Sequence, residues 1–151
     1  MSARKSLKVL MVCLGNICRS PTAHGVLSAL IKRRKLCDYL EVDSAGIGCW
    51  HLGEKPDRRS ISAAKFRGYD LSALIARQVK IMDFAKFDYI LAMDSNNLRD
   101  LDKICPNEYK DKLDLLLKFG SSPEIVVPDP FYGESSDFEL VLDLVEDACE
   151  G

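Results

Sequence analysis

Strand-like and helix-like patterns alternate along this chain, and the alternation leaves few folds open to it. Leu7 to Val12 is a short, mostly apolar run, as a strand buried on both faces should be. It stops at Cys13-Leu14-Gly15-Asn16 and a helical pattern begins at once, with Ser20 suited to the N-cap and Pro21 to the first helical position. Ala23, Val26, Leu27, Leu30 and Ile31 recur at helical spacing, and Lys32 to Lys35 solvate the helix end and complement its dipole. Leu40 to Ala45 predicts a second strand ending at Gly46. A loop bearing Gly48, Gly53 and Pro56 follows, then a helix from about Arg58 to Arg67 stopped by Gly68. Tyr89 to Ala92 predicts a third strand, about Ser95 to Ile104 a polar helix, and Leu113 to Leu117 a fourth strand. In the last stretch Phe138, Val141, Leu142, Val145 and Ala148 share one face. The seven acidic residues between Glu134 and Glu150 read as its wet side.

Strands alternating with helices predict a parallel sheet with right-handed crossovers, and 151 residues suit a single domain spanning 1–151 that needs no disulfide or metal staple. A net charge of −2 and a pI near 5.7 argue against a nucleic-acid partner. No apolar stretch approaches the ~20 residues of a membrane span. Arg4, Lys5 and the run from Leu7 to Leu14 faintly mimic a signal peptide, but Lys8 interrupts it and Asn16 and Arg19 follow. A cytoplasmic location with free thiols is therefore expected. The six cysteines (13, 18, 37, 49, 105 and 149) form no CxxC pair, and His24 and His51 are not spaced as ligands, so neither a metal nor a cofactor is expected. Cys37, Cys49, Cys105 and Cys149 read as ordinary thiols, His24 as a helix-surface residue and His51 as catalytically idle. The chain ends at Gly151, within or just after its last helix, which leaves room for a few further native residues.

In parallel sheets of this kind ligands bind beyond the carboxyl ends of the strands, so the loop after the first strand is the first place to look. There Cys13-Leu14-Gly15-Asn16-Ile17-Cys18-Arg19-Ser20 forms a Cys-x5-Arg pattern between strand and helix. The bare spacing is weak, but its place in the fold strengthens it. Gly15 and Asn16 are the residue types that most readily take positive φ and turn successive amides inward as an anion nest. The helix start at Ser20-Pro21 adds free amides and a positive dipole end. These groups suit a tetrahedral oxyanion, and with Arg19 they equally favour a thiolate on Cys13. Arg19 can fork two N–H groups onto two phosphoryl oxygens, and Ser20 can donate to the sulfur and ease its later departure.

Val12 to Pro21 resembles the signature of the low-molecular-weight protein tyrosine phosphatases. The resemblance continues through Asp43-Ser44-Ala45-Gly46, Ala76-Arg77-Gln78, Phe87 to Asp94 and Pro128-Asp129-Pro130-Phe131-Tyr132-Gly133, and so covers nearly the whole chain. It implies a three-layer, flavodoxin-like α/β fold of the phosphotyrosine phosphatase I type, with a four-stranded parallel sheet in the order 2-1-3-4. It also implies a metal-independent chemistry on phosphoric monoesters: phosphotyrosine proteins or small aryl phosphates as substrates, inorganic phosphate as product, and a monomer as the working unit.

Such chemistry needs a proton for the departing phenolate. Among fifteen aspartates, those just beyond strand ends are Asp43, Asp94 and Asp129. Asp129 alone lies in a proline-bounded loop, and the resemblance selects it; Asp94 reads as a helix cap. The resemblance further implies Ile17, Trp50 and Tyr132 as pocket walls, Ile17 favouring phosphotyrosine over phosphoarginine. It makes Cys18 a reversible disulfide partner for Cys13 under peroxide. Leu74 stands where the family commonly has a histidine bonded to the equivalents of Asn16 and Ser44, so Asn16 and Ser44 are left to support the loop together or through water. Phe131 stands in place of a tyrosine that relatives often phosphorylate, leaving Tyr132. Two rival readings remain. A thioredoxin-coupled arsenate reductase needs two further cysteines near mid-chain, and none lies between Cys49 and Cys105. An idle phosphopeptide-binding module would be marked by loss of Cys13 or Asp129, and both are present.

Overall fold

The apolar run that opens the chain becomes the central strand β1 (Leu7–Cys13), with β2 (Leu40–Gly46) on one side and β3 (Tyr89–Ala92) and then β4 (Leu113–Leu115) on the other. All pairings are parallel and the order is β2-β1-β3-β4, as expected. The structure, a computed structural model, describes residues 7–16, 19–37, 39–48, 52–120 and 135–150, with the backbone alone described for 135–141 and 150. The helices are α1 (Arg19–Arg33), α2 (Arg58–Phe66), α3 (Ile81–Lys86), α4 (Ser95–Ile104) and α5 (Ser135–Glu150).

The period-two alternation of β1 divides the core into two layers. Val9, Met11 and Cys13 point to one face and pack with Ala23, Val26 and Leu30 of α1, Ala64 of α2 and Leu142, Val145 and Ala148 of α5. Leu10 and Val12 point to the other and pack with Phe84 of α3, Leu101 of α4, Phe87 and Leu115. Cys13 therefore ends the central strand on the side that α1 covers. Phe138 and Val141 of the expected α5 face lie outside the described side chains.

Three local expectations change. α1 begins at Arg19, so Ser20 and Pro21 sit inside its first turn and Ser20 is not the N-cap. β4 ends at Leu115 because Leu116–Phe119 tighten into a 3-10 turn. The acidic residues of α5 are also more than a wet face. Glu146 accepts the Tyr69 hydroxyl at 2.6 Å and pairs with Arg67, whose other terminal nitrogen lies 2.9 Å from Asp143, so the segment after α2 is pinned to α5.

Candidate active site

At the carboxyl end of β1 the chain turns sharply and presents the Cys13 sulfur to the N-terminus of α1. The thiol is 3% exposed. Among the described residues two groups address it: the Asn16 backbone N–H at 3.3 Å and the Ser20 hydroxyl at 3.0 Å. Ser20 also accepts from the Asn16 side-chain amide at 2.7 Å, which directs its own proton away from Asn16. Cys13 Sγ is nearer to that hydroxyl than the Ala45 carbonyl, 3.5 Å away. The Asn16 Oδ1 in turn accepts the Arg77 backbone N–H at 3.0 Å. Arg77, Asn16, Ser20 and Cys13 thus form a chain of hydrogen bonds whose dipoles all run toward the sulfur, an arrangement that suits an anion there.

Of the two residues expected to turn the loop, only Asn16 takes positive φ (58°); Gly15 does not. Asparagine tolerates this region better than most residues. Both ends of its side chain are tied down by Ser20 and Arg77, which holds the turn without an imidazole at position 74. Leu74 instead is partly buried and packs against the core cluster that contains Cys13. The expected pairing of Asn16 with Ser44 takes another form. Ser44 Oγ lies 2.9 Å from His24 Nδ1, so Ser44 finds a histidine partner, but on α1. His24 is therefore a half-buried residue facing β2 and not a surface one.

Arg19 is 3% exposed, and its Nη1 donates to Asp94 Oδ2 at 2.5 Å. The other Asp94 oxygen accepts the Asn97 backbone N–H at 2.7 Å, capping α4 as expected. One carboxylate thereby starts α4 and aims Arg19. Asp43 is also committed, pairing with Arg77 at 3.1 Å, while Arg77 reaches Asp83 at 3.0 Å. Burial works against the Arg77 charge, and the Asp83 and Asp43 carboxylates more than offset it, so its proton is held more tightly than usual.

Gly46 is a site residue that the pattern of side chains did not announce. A Cβ there would stand 2.9 Å from the Leu14 carbonyl oxygen and the Gly15 carbonyl carbon, and 3.0 Å from Asn16 N. Only a bare Cα lets the anion loop lie against the end of β2, where Ile47 and Gly48 donate to the Cys13 and Leu14 carbonyls at 3.0 and 2.9 Å. Gly46→Ala is expected to displace the loop, costing about 1–3 kcal/mol of stability and weakening inorganic phosphate binding about 10-fold. Urea unfolding and a phosphate titration check both, and wild-type values would remove the residue from the site.

Asp129, Ile17, Cys18, Trp50, Tyr132 and Phe131 lie outside the described residues, as do Cys49 and His51. The described cysteines 13, 37, 105 and 149 are free thiols. Among the described residues no three His, Cys, Asp or Glu side chains converge as a metal-binding group, and no helix is long and apolar enough to cross a membrane.

The profile of the low molecular weight phosphotyrosine protein phosphatases matches residues 8–151. The chain belongs to that family. The family's Sus scrofa member is 40% identical over 152 residues, an alignment covering 99% of this chain and 95% of the relative. Among solved structures, the protein tyrosine phosphatase of Entamoeba histolytica with Hepes in its active site gives a TM-score of 0.93 at 43% identity, covering 96% of this chain and 93% of that one. A Drosophila arginine phosphatase gives 0.88 at 33% identity, covering 95% and 94%. Membership of the phosphotyrosine phosphatase family makes the chain a hydrolase and favours neither the arsenate reductase nor the idle binding module.

Proposed function

We infer that the protein hydrolyses phosphotyrosine and small aryl phosphates in two steps through a cysteinyl-phosphate intermediate. The observation that carries this reading is the buried Cys13 sulfur with the Asn16 N–H and Ser20 hydroxyl directed at it, together with a buried Arg19 at the start of α1. In the first step the Cys13 thiolate attacks phosphorus, the S–P bond forms as the P–O(aryl) bond breaks, and Asp129 gives its proton to the departing oxygen. In the second, the Asp129 carboxylate takes a proton from water as the new O–P bond forms. The S–P bond then breaks, releasing inorganic phosphate and restoring the thiolate, with the Ser20 hydroxyl donating to the leaving sulfur. Arg19 and the backbone amides of the loop stabilise charge on the three equatorial oxygens.

The choice of acid is supported by elimination: Asp43 is occupied by Arg77 and Asp94 by Arg19 and the α4 cap, which leaves Asp129 of the three. Ile17, Trp50 and Tyr132 complete the reading as walls for an aromatic ring, and Cys18 as the peroxide-protective partner of Cys13. The substrates are phosphotyrosine proteins or aryl phosphates, and the protein works as a cytoplasmic monomer with no nucleic-acid or membrane partner.

Hydrolysis of p-nitrophenyl phosphate should proceed in EDTA and be blocked by vanadate. Asp129→Ala should lower kcat on aryl phosphates with poor leaving groups by about 10²–10⁴-fold, and on good ones by much less. Equal rates for variant and wild type would remove the acid assignment. A panel of tyrosine, serine and arginine phosphopeptides at matched concentration tests the substrate class, and faster turnover of phosphoarginine would overturn the phosphotyrosine assignment.

A further inference from the structure

His24 lies four residues beyond Ser20, so the two side chains share the face of α1 that looks toward β2. Each reaches that strand. Ser20 Oγ approaches the Ala45 carbonyl at 3.5 Å, and His24 Nδ1 lies 2.9 Å from Ser44 Oγ. The next residue of the strand is Gly46, against which the anion loop rests. The second turn of α1 is thus tied to β2 at Ser44 through His24, while Ser20 in the first turn lies near Ala45 with its proton directed at Cys13.

We propose that His24 is a positioning residue: its bond to Ser44 fixes the height and rotation of α1 on β2 and thereby sets the Ser20 hydroxyl and the Asn16 amide on the Cys13 sulfur. The proposal deepens the phosphatase reading and rests on it for its kinetic consequence alone. In the neutral ring Nδ1 can accept the Ser44 proton; a protonated ring can only donate, so proton uptake reverses the bond. The charged groups acting on the ring are Asp43 of β2, which attracts a proton, and Arg77, which repels one, while burial is the largest influence and holds the imidazole below its ordinary 6.5. The sign follows. The unfolded chain takes up this proton near 6.5 and the folded protein resists it, so the contribution to stability is complete above that pH and is lost as pH falls through 6.5 toward the folded value.

Two readouts test the proposal. Saturating p-nitrophenyl phosphate kinetics between pH 5 and 7.5 should show kcat of His24→Leu reduced about 10-fold with KM little moved. His24→Asn, whose amide stands near the Nδ1 position, should recover most of the rate and lose the His24 step of the acid limb. Independently of turnover, an NMR titration should show the Asn16 and Ser20 backbone amides shifting with the midpoint of the His24 ring, below 6.5, and that step should vanish in His24→Asn. Amides that stay still while the ring titrates would overturn the proposal, as would an Asn variant no better than Leu. A wild-type protein that hydrolyses no phosphoester would instead defeat the phosphatase reading and leave the titration to decide this one.

Discussion

Cys13→Ser should abolish turnover, lowering kcat by about 10⁴-fold or more. The proposed reaction needs an anion on sulfur, and a serine hydroxyl at neutral pH does not supply one. The Asn16 N–H and Ser20 hydroxyl would still point at position 13, and they cannot convert an alcohol into a competent nucleophile without a base. Phosphate binding should survive, because it draws on Arg19 and the loop amides and not on the sulfur. Loss of turnover with binding retained separates a missing nucleophile from a collapsed loop. A serine variant with substantial activity would transfer the nucleophile to another residue.

Arg19→Lys should be nearly as damaging, at about 10²–10³-fold in kcat. The charge is kept, so a large loss measures geometry. A guanidinium gives one N–H to Asp94 and presents others in a fixed plane, whereas an ammonium is a point donor that cannot fork onto two phosphoryl oxygens. Asp94 adds to the effect because its carboxylate is held by the α4 cap and cannot follow a shorter partner inward. Asp94→Asn would weaken the aim of Arg19 while keeping a capping oxygen, and it should fall between the lysine variant and wild type. An Arg19→Lys enzyme within about twofold of wild type would show that simple charge suffices there.

The sequence is a good guide where side-chain pattern carries the information. Tyr89–Ala92 and Ser95–Ile104 form the strand and helix expected over those residues, because an apolar run ends at an aspartate that caps the next helix. The place of Cys13, Arg19 and Ser20 between the first strand and the first helix is legible from spacing. α3 was not, because it has six residues and leaves Ile81 60% and Met82 78% exposed, so no apolar stripe marks it. Gly46 acts through a side chain it lacks, and Arg77 supports Asn16 through a backbone N–H across 61 positions. Both residues fall within motifs that carry the family resemblance, but spacing and side-chain pattern do not show what either contributes. His24 is a different case: its spacing from Ser20 places it on the face of α1 that meets β2, although a lone histidine on a mostly apolar helix reads as surface.

The measurement closest to the central claim is mass spectrometry of enzyme quenched in acid during turnover of p-nitrophenyl phosphate, using Asp129→Ala to slow the hydrolytic step. The account predicts one added phosphoryl group, on the peptide carrying Cys13 and bound to sulfur. Turnover with no phosphoenzyme at any time, or phosphate found on a different residue, would contradict it.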